Sequence, residues 1–73
     1  MGIWVISQDS EKVVMVTDVS IVHQRTASGI MWEIVANGGT RLGKYPSEWD
    51  AQKALCMLVI EIDKGGMVFY MPD

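Results

Sequence analysis

The chain has 73 residues, 49% of them hydrophobic, and its six basic and nine acidic side chains give a net charge of −3. A single domain of this size has a marginal core, and Cys56 and His23 are the only cysteine and histidine, so oligomerisation rather than a disulfide or a metal ion is expected to supplement it. The scattered basic residues disfavour nucleic-acid binding, and no apolar run approaches the roughly 20 residues that span a bilayer.

The first part of the chain predicts strands. β-branched and aromatic residues favour strands over residues 2–7, 12–17 and 19–23, with Asp18 as a bend between the second and the third. Residues 24–29, "QRTASG", are typical of a loop. Strands follow over 30–36 and 40–45, joined by "NGG", which favours a type I′ turn because Asn and Gly tolerate positive φ.

A helix is predicted over residues 48–63. Ser47 is a good N-cap, Glu48 and Asp50 lie at the positive end of the helix dipole, and Gly65 or Gly66 can end the helix in a left-handed conformation. A last strand covers 67–71. The order βββββαβ predicts one α+β domain over residues 1–73, with a small, mostly antiparallel sheet of five to six strands packed on the helix.

The predicted helix has two apolar faces at 100° per residue. One arc is the expected core stripe: Ala51, Ala54, Leu55, Leu58, Val59 and Ile62. A second patch lies on another side, with Met57 at its edge: Trp49, Cys56 and Ile60. One sheet covers only the first arc, so the second predicts an association surface, favoured here, or a site covered by the chain's own N-terminal strand or a long loop.

The first two strands repeat this signal. In "IWVI" (3–6) and in "VVMV" (13–16) both faces of the strand are apolar. Strands that are apolar on both faces belong to a two-layer core or to an interface.

The sequence contains no convincing catalytic motif. Gly38 and Gly43-Lys44 match the spacing of a phosphate-binding loop, but Tyr45 and Pro46 follow where the motif needs Ser or Thr and a helix. Cys56 has no neighbouring base, so we expect a buried structural thiol. His23 is expected at the surface, and the carboxylates of Asp9 and Glu11 in a solvated turn. The sequence therefore predicts no enzyme, metal or cofactor.

Three basic residues, with one of two aromatic residues, are candidates for binding a nucleotide. Arg25, Arg41 and Lys44 could contact phosphates, with Tyr45 or Trp32 stacking on a base, provided that these side chains converge.

Both ends of the sequence resemble a family of small proteins from Firmicutes bacteria and their phages. "WVISQD" (4–9), "LGKYPSEWDAQKAL" (42–55) and "YMP" (70–72) resemble its W-[VI]-x-S-Q-D, L-G-x-Y-x-[ST]-E and Y-x-M-P motifs over about half of the chain, whereas residues 18–37 have no counterpart. The family's helix, A-x-x-V-L-x-E-I, has a charged outer face where this chain has Cys56, Met57 and Ile60. The resemblance implies a phage or prophage gene and no particular activity.

These observations favour a cytoplasmic, non-enzymatic binding module that self-associates through the helix and its flanking strands. A single thiol and the lack of a signal-like start support the cytoplasmic setting. If the protein is phage-borne, it is expected to bind and block a host component. The alternative is an oligomeric sponge that sequesters a nucleotide immune signal.

Overall fold

The structure is a computed structural model that describes residues 2–73. It has the predicted α+β class and element order: β1 (Ile3–Ile6), β2 (Val13–Val16), β3 (Val19–Thr26), β4 (Gly29–Ala36), β5 (Thr40–Tyr45), α1 (Glu48–Asp63) and β6 (Val68–Tyr70). The strands form two three-stranded sheets, in the orders β2-β1-β6 and β3-β4-β5, instead of the single sheet expected. All pairs are antiparallel except β1 with β6, which run parallel.

Two apolar strand faces and one helix face form the core. β1 and β2 turn Ile3, Val5 and Val16 inward, while β4 and β5 supply Ile34, Ala36, Leu42 and Tyr45. α1 packs mainly on β4 and β5. Its buried residues are Ala51, Ala54 and Leu58, so two small side chains let the helix approach the sheet closely.

Local signals at the ends of α1 act as predicted. The backbone N–H of Asp50 donates to Ser47 Oγ over 3.1 Å, which is the N-cap bond. At the other end Gly65 has φ of 77°, and the N–H groups of Gly65 and Gly66 donate to the carbonyls of Ile62 and Glu61. This is a Schellman motif, which satisfies the last free carbonyls of the helix.

The turn after β4 is also as predicted. Asn37 and Gly38 have φ of 55° and 81°, and the Gly39 N–H donates to the Ala36 carbonyl over 3.1 Å. Asn37 adds a contact that the local sequence does not indicate: its side chain accepts from the Thr17 N–H and donates to the Met15 carbonyl. The turn of one sheet is thereby joined to β2 of the other.

The prediction was wrong at the end of β3. Gln24, Arg25 and Thr26 continue the strand, and only Ala27 and Ser28 form the turn to β4. Every residue from 22 to 30 is exposed. Because this part of the hairpin has no buried face, its strands lack the alternation of apolar and polar residues by which a strand is recognised. The other strand bounds differ from the predicted ones by about one residue.

Candidate association surface and basic cleft

The outer face of α1 is exposed in the monomer. Trp49 is 74% exposed, Ile60 is 53% exposed, and Cys56 and Met57 are exposed beside them. No part of residues 2–73 covers this patch, so the alternative in which the chain's own strand or loop shelters it does not hold for the described chain. The expectation that Cys56 is buried is wrong for the monomer: Cys56 is exposed, two residues away from each of the buried helix residues Ala54 and Leu58.

The core stripe of the helix is narrower than predicted. Val59 is 52% and Ile62 is 40% exposed, and Leu55 is only partly buried. The reason is geometric: each sheet has three strands, and together they cover little more than the side of the helix that carries Ala51, Ala54 and Leu58. The exposed apolar surface of α1 is therefore wider than the patch predicted from the sequence.

A second apolar surface lies on the outer face of the β2-β1-β6 sheet. The strand registers place its side chains in two rows, Met15-Trp4-Val68 and Val13-Ile6-Tyr70. Five of these six side chains are exposed, from 37% at Met15 to 69% at Tyr70, and Ile6 is partly buried. The sequence shows that both faces of β1 and β2 are apolar. It does not show the contribution of β6, because Val68 and Tyr70 join these rows only through the parallel pairing of β6 with β1.

A groove connects the two apolar surfaces. It has a volume of about 270 Å³ and is lined by Trp4 and Met15 from the sheet, Ile62 from the end of α1, and Met67 after it. Val59 and Cys56 precede Ile62 along the helix at intervals of three residues, so they continue the apolar surface towards Trp49. The helix face and the sheet face therefore adjoin at the C-terminal end of α1.

The sequence segments 4–9, 42–55 and 70–72 meet at one set of hydrogen bonds, called the clasp below. Gln8, in "WVISQD", donates from its backbone N–H to the Leu42 carbonyl, and its side chain accepts from the Lys44 N–H and donates to the Pro72 carbonyl. Tyr45, in "LGKY", also donates from its hydroxyl to the Pro72 carbonyl, over 2.8 Å. These residues hold β1, β5 and the segment after β6 together.

Two titratable groups at the clasp have shifted pKa values. Burial, with the nearby negative charge of Asp73, raises the pKa of Tyr45 to about 12, so its phenol stays a hydrogen-bond donor well above neutral pH. The pKa of Asp9 is lowered because its carboxylate accepts from the Ser7 hydroxyl and from the Glu11 N–H. Asp9 thus stabilises the β1–β2 turn as an anion, and Glu11 contributes its backbone N–H.

The structure brings three of the predicted nucleotide contacts together in two neighbouring clefts that share Lys44. Lys44 and Tyr45 line the larger one, which has a volume of about 500 Å³. Arg41 and Lys44 line a cleft of about 370 Å³ beside β5, which also contains Lys12 and Asp9. Tyr45 is buried, so its ring is not available for stacking. Arg25 pairs with Ile30 near the tip of the hairpin, five positions along β4 from the Val35 that pairs with Arg41, or roughly 17 Å away.

Arg41 also has a partner within the fold. Its Nε lies 3.5 Å from Oε2 of Glu33, whose side chain is almost completely buried. Trp32, the other aromatic residue predicted to stack on a nucleotide base, packs against His23 across the strands with ring centroids 5.1 Å apart. Neither aromatic ring therefore reaches the cleft lined by Arg41 and Lys44, and Lys12 is the cation there that sequence reasoning missed.

Residues 2–73 contain no group of three or more His, Cys, Asp or Glu side chains placed to hold a metal ion. Within the same residues, no helix has both the length and the apolar character needed to cross a membrane. Comparison of the chain with protein-family models, with curated proteins and with solved structures gave no match.

Proposed function

We propose that the protein is a non-enzymatic binding module that self-associates through the outer face of α1. The observation that supports this is the exposure of Trp49, at 74%, beside Ile60, Cys56 and Met57. Fully burying a large apolar side chain contributes roughly 1.5–3 kcal/mol, and a monomer forgoes part of this at Trp49, Ile60 and Met57.

The adjoining sheet face enlarges the surface available for association. A stable interface buries about 800 Å² on each partner, and an aromatic side chain contributes roughly 150–250 Å² when fully buried. Trp49 on the helix with Trp4 and Tyr70 on the sheet would supply much of this area. Tryptophan and tyrosine are also the residue types that most often dominate interface energetics.

We further propose that the module is phage- or prophage-encoded, acts in the cytoplasm of the host cell, and binds and blocks a host component. The support is the resemblance of "WVISQD", "LGKYPSE" and "YMP" to small proteins of Firmicutes and their phages, together with the clasp that these motifs form. The family's helix is charged where this helix is apolar, and this difference favours association as the distinguishing property of the chain.

Light scattering over a range of concentrations tests self-association. The wild type is expected to have a molar mass above the 8.1 kDa of one chain, and the Trp49→Glu/Ile60→Glu variant is expected to be monomeric with an unchanged circular dichroism spectrum. Ala27→Glu adds a negative charge to the exposed β3–β4 turn, away from α1, and serves as the control. A wild type that stays monomeric throughout, or a double variant of unchanged size, would contradict the proposal.

A second candidate function is the sequestration of a nucleotide signal. Its support is the basic cleft, where three of the chain's six basic residues, Lys12, Arg41 and Lys44, lie around a volume at the small end of ligand pockets. Asp9 offsets one of these charges and Glu33, which pairs with Arg41, offsets a second, so an anionic ligand would meet a net charge of about +1.

Thermal shifts test this second function. Ligands that bind only the folded state stabilise it by RT ln(1 + [L]/Kd), about 2.7 kcal/mol at a concentration of 100 Kd. We expect a cyclic dinucleotide or an ADP-ribose derivative to raise the melting temperature of the wild type. The same ligand is expected to have little effect on Lys12→Ala/Lys44→Ala, a variant that leaves the Arg41–Glu33 pair intact. Equal shifts in both proteins, or none with any nucleotide, would speak against the cleft.

A further inference from the structure

The outer edge of β3 is an open strand edge. β3 has eight residues, and its register with β4 is unbroken from Val19 opposite Ala36 to Thr26 opposite Gly29. Alternate residues of an edge strand direct their N–H and C=O groups away from the neighbouring strand. Within residues 2–73, no backbone hydrogen bond outside the β4 ladder involves residues 19–26.

The other edges of the two sheets are protected. β2 has four residues and β6 has three, lengths that offer few groups for pairing. The edge of β5 is occupied by Gln8, which contacts the Leu42 carbonyl and the Lys44 N–H. Proteins avoid edge-to-edge pairing with short strands, proline, bulges or charges, and β3 has only one such device, the charge of Arg25.

We propose that β3 pairs with β3 of a second copy, antiparallel and about a twofold axis through Val22. The free N–H and C=O groups of a strand edge form hydrogen bonds with the backbone of another extended segment. Because these groups alternate along β3, the antiparallel pairing of two identical strands must be centred on a residue and not between two residues. Val22 lies near the middle of the strand and is 41% exposed, so centring there buries two valine side chains against each other.

This register matches the side chains of the two strands. Arg25 of one copy lies opposite Val19 of the other, and Ser20 lies opposite Gln24, so no like charges face each other. The antiparallel arrangement also places each compact body beyond the hairpin tip of the other copy, where residues 22–30 are exposed and leave room for it. The result is a continuous six-stranded sheet, β5-β4-β3-β3-β4-β5.

The inference rests on the proposed self-association but assigns a contact that does not involve the helix face. An assembly with both contacts uses two separate surfaces on each copy, one hydrogen-bonded and one apolar. Variants on each surface therefore separate the two proposals.

Site-specific cross-linking tests the register. In a Cys56→Ala background, which removes the only native thiol, Val22→Cys places two thiols opposite each other at the axis. Cα atoms of opposed residues in an antiparallel pair lie about 4.5–5.5 Å apart, which suits a disulfide. The matched control, Gln24→Cys, offsets its two thiols by four residues, or roughly 13 Å. We expect mild oxidation to give covalent dimer with Val22→Cys and little with Gln24→Cys; equal yields, or no dimer with Val22→Cys, overturn the proposal.

A charge at the axis provides a second test that does not depend on cysteine chemistry. Val22→Lys brings two ammonium groups together in the proposed pair and is expected to weaken association several-fold. Glu11→Lys, in the exposed segment before β2 and outside both proposed surfaces, is expected to leave association unchanged. If Val22→Lys reduces the assembly and Trp49→Glu/Ile60→Glu does not, the edge contact stands and the helix contact fails. If Trp49→Glu/Ile60→Glu reduces the assembly and Val22→Lys does not, the edge contact is overturned. The open edge of β3 would then be left to bind an extended peptide from a different protein.

Discussion

Replacing Leu58 by alanine is expected to lower the free energy of unfolding by about 2–5 kcal/mol. Leu58 is fully buried and is the largest side chain that α1 contributes to the core. The other buried helix residues, Ala51 and Ala54, are already small and cannot fill the cavity. A domain of this size rarely has more than about 3–5 kcal/mol of stability, so urea denaturation should find the variant partly or wholly unfolded at 25 °C.

Ile60→Ala is the matched control for Leu58→Ala. Ile60 lies on the same helix two residues further along but is 53% exposed. A monomer should lose little stability, whereas an assembly formed through the helix face should lose stability by an amount that grows with protein concentration. The stability lost in Leu58→Ala should not depend on protein concentration, provided that the variant and the wild type have the same oligomeric state. Equal, concentration-independent losses would mean that the helix faces are wrongly assigned.

Replacing Asn37 by alanine is expected to cost about 2–4 kcal/mol of stability, the sum of three side-chain hydrogen bonds and a left-handed backbone. Its amide group accepts from the N–H and hydroxyl of Thr17 and donates to the Met15 carbonyl. Its φ of 55° is a conformation that alanine adopts at a cost. Urea denaturation of the purified variant measures the loss.

Asn37→Gly separates the two contributions. Glycine adopts positive φ freely but cannot join the turn to β2, so it loses the hydrogen bonds alone. We expect Asn37→Gly to be more stable than Asn37→Ala by about 1 kcal/mol and still less stable than the wild type. A glycine variant as stable as the wild type would show that the hydrogen bonds to Thr17 and Met15 contribute nothing.

The parts of the fold that depend on neighbouring residues in the chain were predictable. Ser47, Gly65 and the Asn37-Gly38 pair each carry a conformational preference strong enough to act locally, and the structure uses each of them as expected. The α+β class and the element order follow from the same signals.

The parts that depend on distant contacts were not predictable. A helical wheel places Val59 and Ile62 in the core only if a wide sheet covers the helix. The sequence does not show that the strands divide into two narrow sheets, which leave these two residues exposed. The convergence of Arg41 and Lys44 with Lys12, and the distance of Arg25 from them, likewise depend on strand pairing. Gln8 gave no sign of its contact with Pro72, 64 positions away, because a single glutamine carries no local preference that would reveal it.

The parallel pairing of β1 with β6 sets the order in which the molecule can be completed. β1 is the central strand of its sheet, yet one of its two neighbours is the last strand of the fold. Closing so long a loop costs chain entropy before any contact compensates for it, which slows folding. During synthesis, the edge of β1 that pairs with β6 stays unpaired until residue 70 has emerged, so the β2-β1-β6 sheet is completed only after all strands of the β3-β4-β5 sheet have been made.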